Sequence, residues 1–382
     1  MALNRIVYFI VIVSFLDTFV QLPIITPFSI SLGASHLLTG AIVAVYSLTN
    51  MIGNVVGGHW IDSFGRKKML LYGMIGVTIT LCFYPFAQTG EHLFIIRLFH
   101  GLSGGILIPA AFAYIGDLTD SKKRGKTMAF TGASIGTSAI VGPAIGGVMA
   151  ARASYESVFL FIAALFVVTI FLLIKYIEES FVSSDRTKVQ AKDFFPLLKN
   201  PLLMQASLAA FALMVSNGTL AFALPLKVET LNMTSQTTGM LLSVFGIVAL
   251  IVFLTPLNRM YDHFSSMSLV LTGICFIGLS LIILNFLTSF PISIIAMIIY
   301  GFGFALIFPS MNQIVSEAST KLDRGKAYGI FYAFFSLGVV AGSAISGFVS
   351  EMLGSPFIVS AIIMLSIALI IFIILKTKKQ PA

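Results

Sequence analysis

Apolar runs of about twenty residues, set apart by short polar breaks, recur along the whole chain. A bilayer core about 30 Å thick takes roughly 20 apolar residues per helix. The pattern predicts twelve spans, at 6–30, 38–58, 69–89, 93–116, 127–150, 157–177, 201–226, 235–256, 268–288, 291–316, 327–350 and 355–375. One long break differs: residues 178–200, EESFVSSDRTKVQAKDFFPLLKN, are polar and mixed in charge. They read as a linker between a six-helix bundle over 1–177 and another over 201–382. The expected fold class is an all-α polytopic membrane protein with two pseudo-symmetric bundles.

The two halves share a register. Asp62 and Asp262 differ by 262 − 62 = 200, as do Gly73 and Gly273, Gly101 and Gly301, Pro109 and Pro309, Gly142 and Gly342, and Gly147 and Gly347. The triplets Arg124-Gly125-Lys126 and Arg324-Gly325-Lys326 keep that offset, as do the acids Asp117 and Glu317. Glycine alone gives such matches by chance; a charged triplet and a loop aspartate in the same register do not come easily. The chain therefore reads as a duplicated bundle. Duplicated folds of this kind hold a substrate near the midplane and rock one half against the other.

Composition agrees. Of 382 residues, 58% are hydrophobic and 10% charged, against about 25% charged in soluble domains, which excludes an ordinary soluble protein. The net charge of +8 would suit a nucleic acid or another anionic partner. Its distribution points elsewhere. Arg5, Arg66, Lys67, Lys68, Lys122, Lys123, Arg124, Lys126, Arg259, Lys321, Arg324, Lys326, Lys376, Lys378 and Lys379 fall at the ends or connections of one side, with the linker's basic residues. The other side offers Arg152 and Lys227. By the positive-inside rule both termini are expected to be cytoplasmic; the expected location is the cell membrane, with the lipid bilayer as the large partner and no nucleic acid. No cleavable leader is expected, because the first run is too long, contains Asp17 and lacks a small-residue cleavage site. Cys82 and Cys275 lie in separate apolar runs. They are expected to pack helices, without a disulfide or metal framework.

Charge inside the spans carries the candidate chemistry. Of fifteen Asp and Glu residues, Asp17 alone falls deep in a span. At 17 + 200 the second half has Asn217, the neutral isostere. A carboxyl kept where an amide serves the fold is a candidate functional group. Arg97 is the only basic residue deep in a span, and 97 + 200 is Met297. An intramembrane arginine costs about 2.5–3.5 kcal/mol on insertion scales and normally faces a cavity or a partner. Burial disfavours an ionised carboxyl and a neighbouring arginine favours it, so alternation between dry and wet states moves a proton. Asp17 is the expected proton carrier and His100 a relay partner, histidine being titratable near neutrality; Arg97 is the expected tuner if spans one and four face each other, as the family resemblance given next implies. The competing readings are a static Asp17–Arg97 ion pair and a His100 that only packs. Gln21, Asn50, Asn54, Tyr114, Asn217, Asn312, Gln313 and Tyr332 are candidates for a substrate cavity. Each alone serves equally as a helix–helix hydrogen bond.

Several motifs resemble those of the major facilitator superfamily. GHWIDSFGRKK, residues 58–68, resembles its loop between spans two and three, G-x-x-x-D-R-x-G-R-R/K. Gly58, Asp62, Gly65, Arg66 and Lys67 match, while Ser63 stands where the family usually has arginine. The resemblance implies a conformational latch, extended to Asp117 and Arg124. Gly58 is expected to let another helix approach. RLFHGLSGG, residues 97–105, resembles the fourth-span motif, with His100 where a glutamine often stands. GPAIGG, residues 142–147, resembles the fifth-span motif of the drug:proton antiporter branch through Gly142, Pro143, Gly146 and Gly147, with Ser138 at the upstream glycine position. Pro143 removes a backbone donor and the glycines allow tight packing. LDTFVQLP, residues 16–23, resembles a first-span motif of that branch.

The resemblance implies a monomeric, proton-coupled exporter of small amphiphilic molecules such as drugs, with small-molecule substrate and protons as its partners. The alternative cargo is an endogenous metabolite such as a siderophore. A nutrient importer, a lipid flippase and a non-transporting sensor fit less well. No enzyme, cofactor or metal is expected, since the sequence shows no phosphate loop, metal-ligand cluster or ATP-binding domain.

Overall fold

A computed structural model of the chain describes residues 2–117, 124–180, 194–320 and 323–378, without the side chains of residues 2–5, 59, 62, 124–129, 325 and 376–378. Asp120, Lys122, Lys123, Asp185, Asp193, Lys321 and Lys379 lie outside the described residues, as do the side chains of Arg5, Asp62, Arg124, Lys126, Lys376 and Lys378.

The described residues are helical, without a strand. The first half holds α1 (Ala2–Val20), α2 (Ile25–Ser31), α3 (His36–Phe64), α4 (Arg66–Phe83), α5 (Gly90–Asp117), α6 (Arg124–Arg152) and α7 (Tyr155–Tyr176). A four-residue helix, α8 (Phe195–Leu198), precedes α9 (Pro201–Thr230) and α10 (Ser235–Leu254). Then come α11 (Met260–His263), α12 (Ser266–Asn285), α13 (Phe290–Glu317), α14 (Arg324–Met352) and α15 (Pro356–Lys378). Among the described residues, eleven helices are long and apolar enough to cross a bilayer, and the bent pair α1–α2, counted as one span, brings the number to twelve.

The chain forms two compact units: Met1–Asp185 with Val228–Ser243, and Arg186–Lys227 with Val244–Ala382. The expected repeat holds in the helix ends. Helices α5 and α13 start at 90 and 290 and end at 117 and 317; α6 and α14 start at 124 and 324 and end at 152 and 352. It also holds in packing. A Cβ on Gly73 would touch Leu107, and one on Gly273 would touch Ile307, at 107 + 200. Glycines 142 and 342 lie against the backbone of α1 and α9 respectively.

Two features depart from expectation. The first span is broken rather than continuous, bending by 48° between α1 and α2. Pro23 has no amide hydrogen, and the N–H groups of Ile24 and Ile25 both turn back to Gln21 O. The counterpart of Pro23 at 23 + 200 is Ala223, and α9 runs through it unbroken. The cysteines, expected to pack helices, are both free and exposed. The outer surface of a membrane bundle is as apolar as its interior, so an apolar context does not mark a packing position.

The helices that carry the site are held by glycine contacts. A Cβ on Gly105 of α5 would lie 2.3 Å from Asn50 O and 2.8 Å from Gly53 Cα of α3. Gly105→Val is therefore expected to lose about 1–3 kcal/mol by overpacking and to lower the thermal midpoint in detergent. Gly136→Ala, where a Cβ meets nothing within 4 Å, is expected to leave it unchanged or raised. Equal midpoints for the two variants would contradict the packing assignment.

Candidate functional site

The last turn of α1 brings Asp17 into the first unit with 2% of its surface exposed. Gln21, at the break, folds back so that Nε2 donates to Asp17 Oδ1 at 2.8 Å and to Asp17 O at 2.8 Å. Its Oε1 accepts from the Arg97 guanidinium. Arginine has donors only, so this contact fixes which way the amide points. The Nε of Arg97 also donates to Ile42 O at 3.3 Å, and the guanidinium carbon lies 4.2 Å from the centre of the Tyr46 ring. A buried guanidinium is thus served by two carbonyl oxygens and an aromatic face.

One helical turn beyond Arg97, α5 presents His100, which has no exposed surface. Its Nε2 lies 3.1 Å from Asp17 Oδ2, and its Nδ1 lies 2.9 Å from the hydroxyl of Tyr84. Tyr84 opens a 3-10 turn, Tyr84–Phe86, after α4 and stacks on Phe159 of α7 at 3.8 Å. Residues from α1, α3, α4's end and α5 thus make one buried polar cluster in which both carboxylate oxygens of Asp17 are engaged.

The three residues expected to act together are together, by a route that differs from direct facing. Asp17 meets His100 directly and reaches Arg97 through Gln21. Gln21, expected in a substrate cavity, is instead buried inside the cluster at 3% exposure. Tyr84 and Tyr46 belong to the cluster and were not among the sequence candidates; a tyrosine within an apolar span or at its end carries no pattern that sets it apart. At the equivalent second-half positions, 17 + 200 and 100 + 200, stand Asn217 and Tyr300. There the Tyr300 hydroxyl bonds Ser216 Oγ at 2.9 Å. The same place in the repeat works with neutral groups.

The other cavity candidates divide. Asn54 Nδ2 donates to Asn50 Oδ1 at 3.0 Å, and Asn312 Nδ2 to Phe308 O at 2.8 Å, both within one helix. Gln313 is exposed and donates to Glu317 Oε1 at 2.9 Å. Tyr114 is buried, Asn217 partly buried and Tyr332 exposed.

A second polar cluster closes one end of the first unit. Gly65 joins α3 to α4 with φ +104, a conformation that favours glycine. Arg66 Nε pairs with Asp117 Oδ2 at 2.8 Å, and Arg66 also donates to Ile61 O at 3.1 Å. The Glu179 carboxylate accepts from the backbone N–H groups of Arg66, Lys67 and Lys68 at 2.8, 3.2 and 3.4 Å. A carboxylate at a helix N-terminus satisfies free donors and suits the helix dipole. Ser180 Oγ donates to Asp117 at 3.1 Å. Glu179 was expected only as part of the linker. The side chains of Asp62 and Arg124 lie outside the described residues. Gly58 needs correction: a Cβ there would meet nothing within 4 Å. Close approach belongs to Gly53 and Gly57 on the same helix, whose Cβ atoms would strike Leu102 O at 2.4 Å and Ile106 Cα at 3.0 Å.

The α6 motif makes two close contacts. Cβ atoms on Gly142 and Gly146 would strike Phe19 Cβ at 2.8 Å and Val20 O at 2.0 Å, the residues just before the break in the first span. One on Gly147 would strike Ser235 O at 2.4 Å in α10, and one on Gly239 would strike Pro143 O at 2.2 Å. The hydroxyl of Ser138, at the upstream position, donates to Ile12 O at 2.9 Å.

The chain matches the model of the Major Facilitator Superfamily over residues 7–319 and 206–382. It is 25% identical over 346 residues to Multidrug resistance protein 1 of Bacillus subtilis, covering 89% of this chain and 87% of that one. It is 24% identical over 353 residues to Quinolone resistance protein NorA of Staphylococcus aureus, covering 90% and 88%. Among solved structures, a bacterial homolog to the human lysosomal transporter Spinster, in an inward-facing and occupied conformation, superposes with a TM-score of 0.83 at 12% identity, covering 99% and 98%.

Proposed function

The chain belongs to the Major Facilitator Superfamily, and on that premise we propose that it is a proton-coupled exporter of small amphiphilic molecules, drugs among them, working by alternating access. The names of its multidrug- and quinolone-resistance relatives support the cargo class and the outward direction. The observation that carries proton coupling is the Asp17 carboxyl, buried, bonded to His100 on one oxygen and tied through Gln21 to Arg97 on the other.

In this reading a proton on Asp17 does two things. It turns Oδ2 from an acceptor into a donor toward His100. It also removes the negative charge at the far side of Gln21 from Arg97. Both changes alter the bonds that join α1 to α5, so the proton biases one arrangement of the network over another, as a driving ligand must. The break in the first span lies four residues on, against Gly142 and Gly146 of α6, and is where such a change reaches the backbone. The bundles over 1–177 and 201–382, joined by 178–200, are the moving bodies. The Arg66–Asp117–Glu179 cluster is the latch that locks one state. The protein works as a monomer in the cell membrane, with both termini cytoplasmic.

Everted membrane vesicles with an acid interior test this reading with ethidium as the probe. Accumulation inside vesicles that hold the protein is expected, and nigericin, which collapses the pH gradient, is expected to reverse it. Accumulation indifferent to nigericin would overturn proton coupling.

A further inference from the structure

The hydroxyl of Tyr84 has no place in the function derived so far. Tyr84 is fully buried, and its ring is already held by the stack on Phe159. Its oxygen nevertheless lies 2.9 Å from His100 Nδ1, on the opposite side of the imidazole from Asp17. We propose that Tyr84 is a positioning residue for proton transfer, setting which nitrogen of His100 carries the hydrogen and letting His100 change protonation state while buried. This rests on the reading of Asp17 as the proton carrier.

Bond polarity supplies the argument. With Asp17 ionised, Oδ2 only accepts, so His100 Nε2 carries the hydrogen. Nδ1 is then an acceptor, and Tyr84 donates to it. When a proton arrives on Asp17 or on His100, Nδ1 acquires a hydrogen. A phenol oxygen has a lone pair to receive it, where a carbonyl or an amide N–H would serve one state alone. The titratable and charged groups facing His100 are Asp17 from α1, Tyr46 from α3, Tyr84 from the turn after α4, and Arg97 on α5 itself.

Tyr84→Phe keeps the ring and its stack and removes only the hydroxyl. A buried N–H on a charged imidazole left without an acceptor costs more than an unfilled lone pair on a neutral one. The variant therefore resists protonation of the cluster. The pH profile of proton-driven ethidium accumulation is expected to move about one unit toward acid. A role in packing alone leaves the profile where it is.

The profile is measured for wild type, Tyr84→Phe and Asp17→Asn side by side. Wild-type coupling in Asp17→Asn would remove the underlying reading and this inference with it. Loss of coupling in Asp17→Asn, with a Tyr84→Phe profile that superposes on wild type, would overturn the Tyr84 role alone. If Tyr84→Phe does not fold, nitrogen-15 spectra of wild-type protein labelled at its five histidines decide instead, with His100→Gln giving the assignment. The hydrogen of neutral His100 is expected on Nε2; finding it on Nδ1 overturns the proposal.

Discussion

Asp17→Asn is expected to abolish uphill transport while leaving the protein folded and permeable to its substrate. Asparagine keeps the shape of the side chain. Its amide oxygen accepts from Gln21 Nε2 as Asp17 Oδ1 does, at 2.8 Å in the wild type. Its amide nitrogen donates to His100 Nε2, and His100 then donates from Nδ1 to Tyr84. Every buried polar group keeps a partner, so little stability is lost. The second half already carries Asn217 at the equivalent position. What asparagine lacks is a proton to exchange. One proton exchanged per substrate lets a gradient of one pH unit sustain about a tenfold concentration ratio, since one unit is about 1.4 kcal/mol. In proteoliposomes under such a gradient, wild type is expected to approach that ratio and Asp17→Asn to stop at unity. Uphill accumulation by the variant would contradict the assignment.

Arg97→Met is expected to be worse, because it damages the structure as well as the chemistry. Gln21 Oε1 and Ile42 O both lose a buried donor. The Asp17 carboxylate keeps its burial and loses the cation whose charge reaches it through Gln21. Removing one partner from a buried charged pair costs about 3–5 kcal/mol, a large share of a total of about 5–15 kcal/mol. A lower thermal midpoint in detergent and loss of transport are expected. The double variant Asp17→Asn/Arg97→Met places in the first half the pair that the second half has at Asn217 and Met297. It is expected to recover part of the lost stability and none of the coupling, a favourable interaction energy of about 0.5–3 kcal/mol in a double-mutant cycle. Losses that simply add would mean that the two side chains are energetically independent.

The span pattern was legible because each crossing helix must be apolar over its length, whatever it packs against. The repeat was legible because glycines and loop charges keep their register through duplication. The break in the first span was not. Hydrophobicity runs on across residues 20–25, and a proline alone does not mark a break: Pro109, Pro143, Pro225 and Pro309 all sit within continuous helices. Burial was legible only for costly groups. Asp17, Arg97 and His100 stand out because charge and titratable nitrogen are expensive inside a span, and the three lie in one cluster. Gln21 and Tyr84 are cheap enough to occur anywhere in such a chain, and only their neighbours reveal what they hold. Glu179 is one acid among several around the linker, and its use at the start of α4 depends on a contact across 179 − 66 = 113 residues.

Proton release on substrate binding tests the central claim most directly. Purified protein in weakly buffered detergent is mixed with a binding substrate, and the pH is followed with an indicator dye. Wild type is expected to release protons in proportion to bound substrate, and Asp17→Asn to bind the same substrate in silence. Equal release from both proteins would contradict the account and move the exchanging proton away from Asp17.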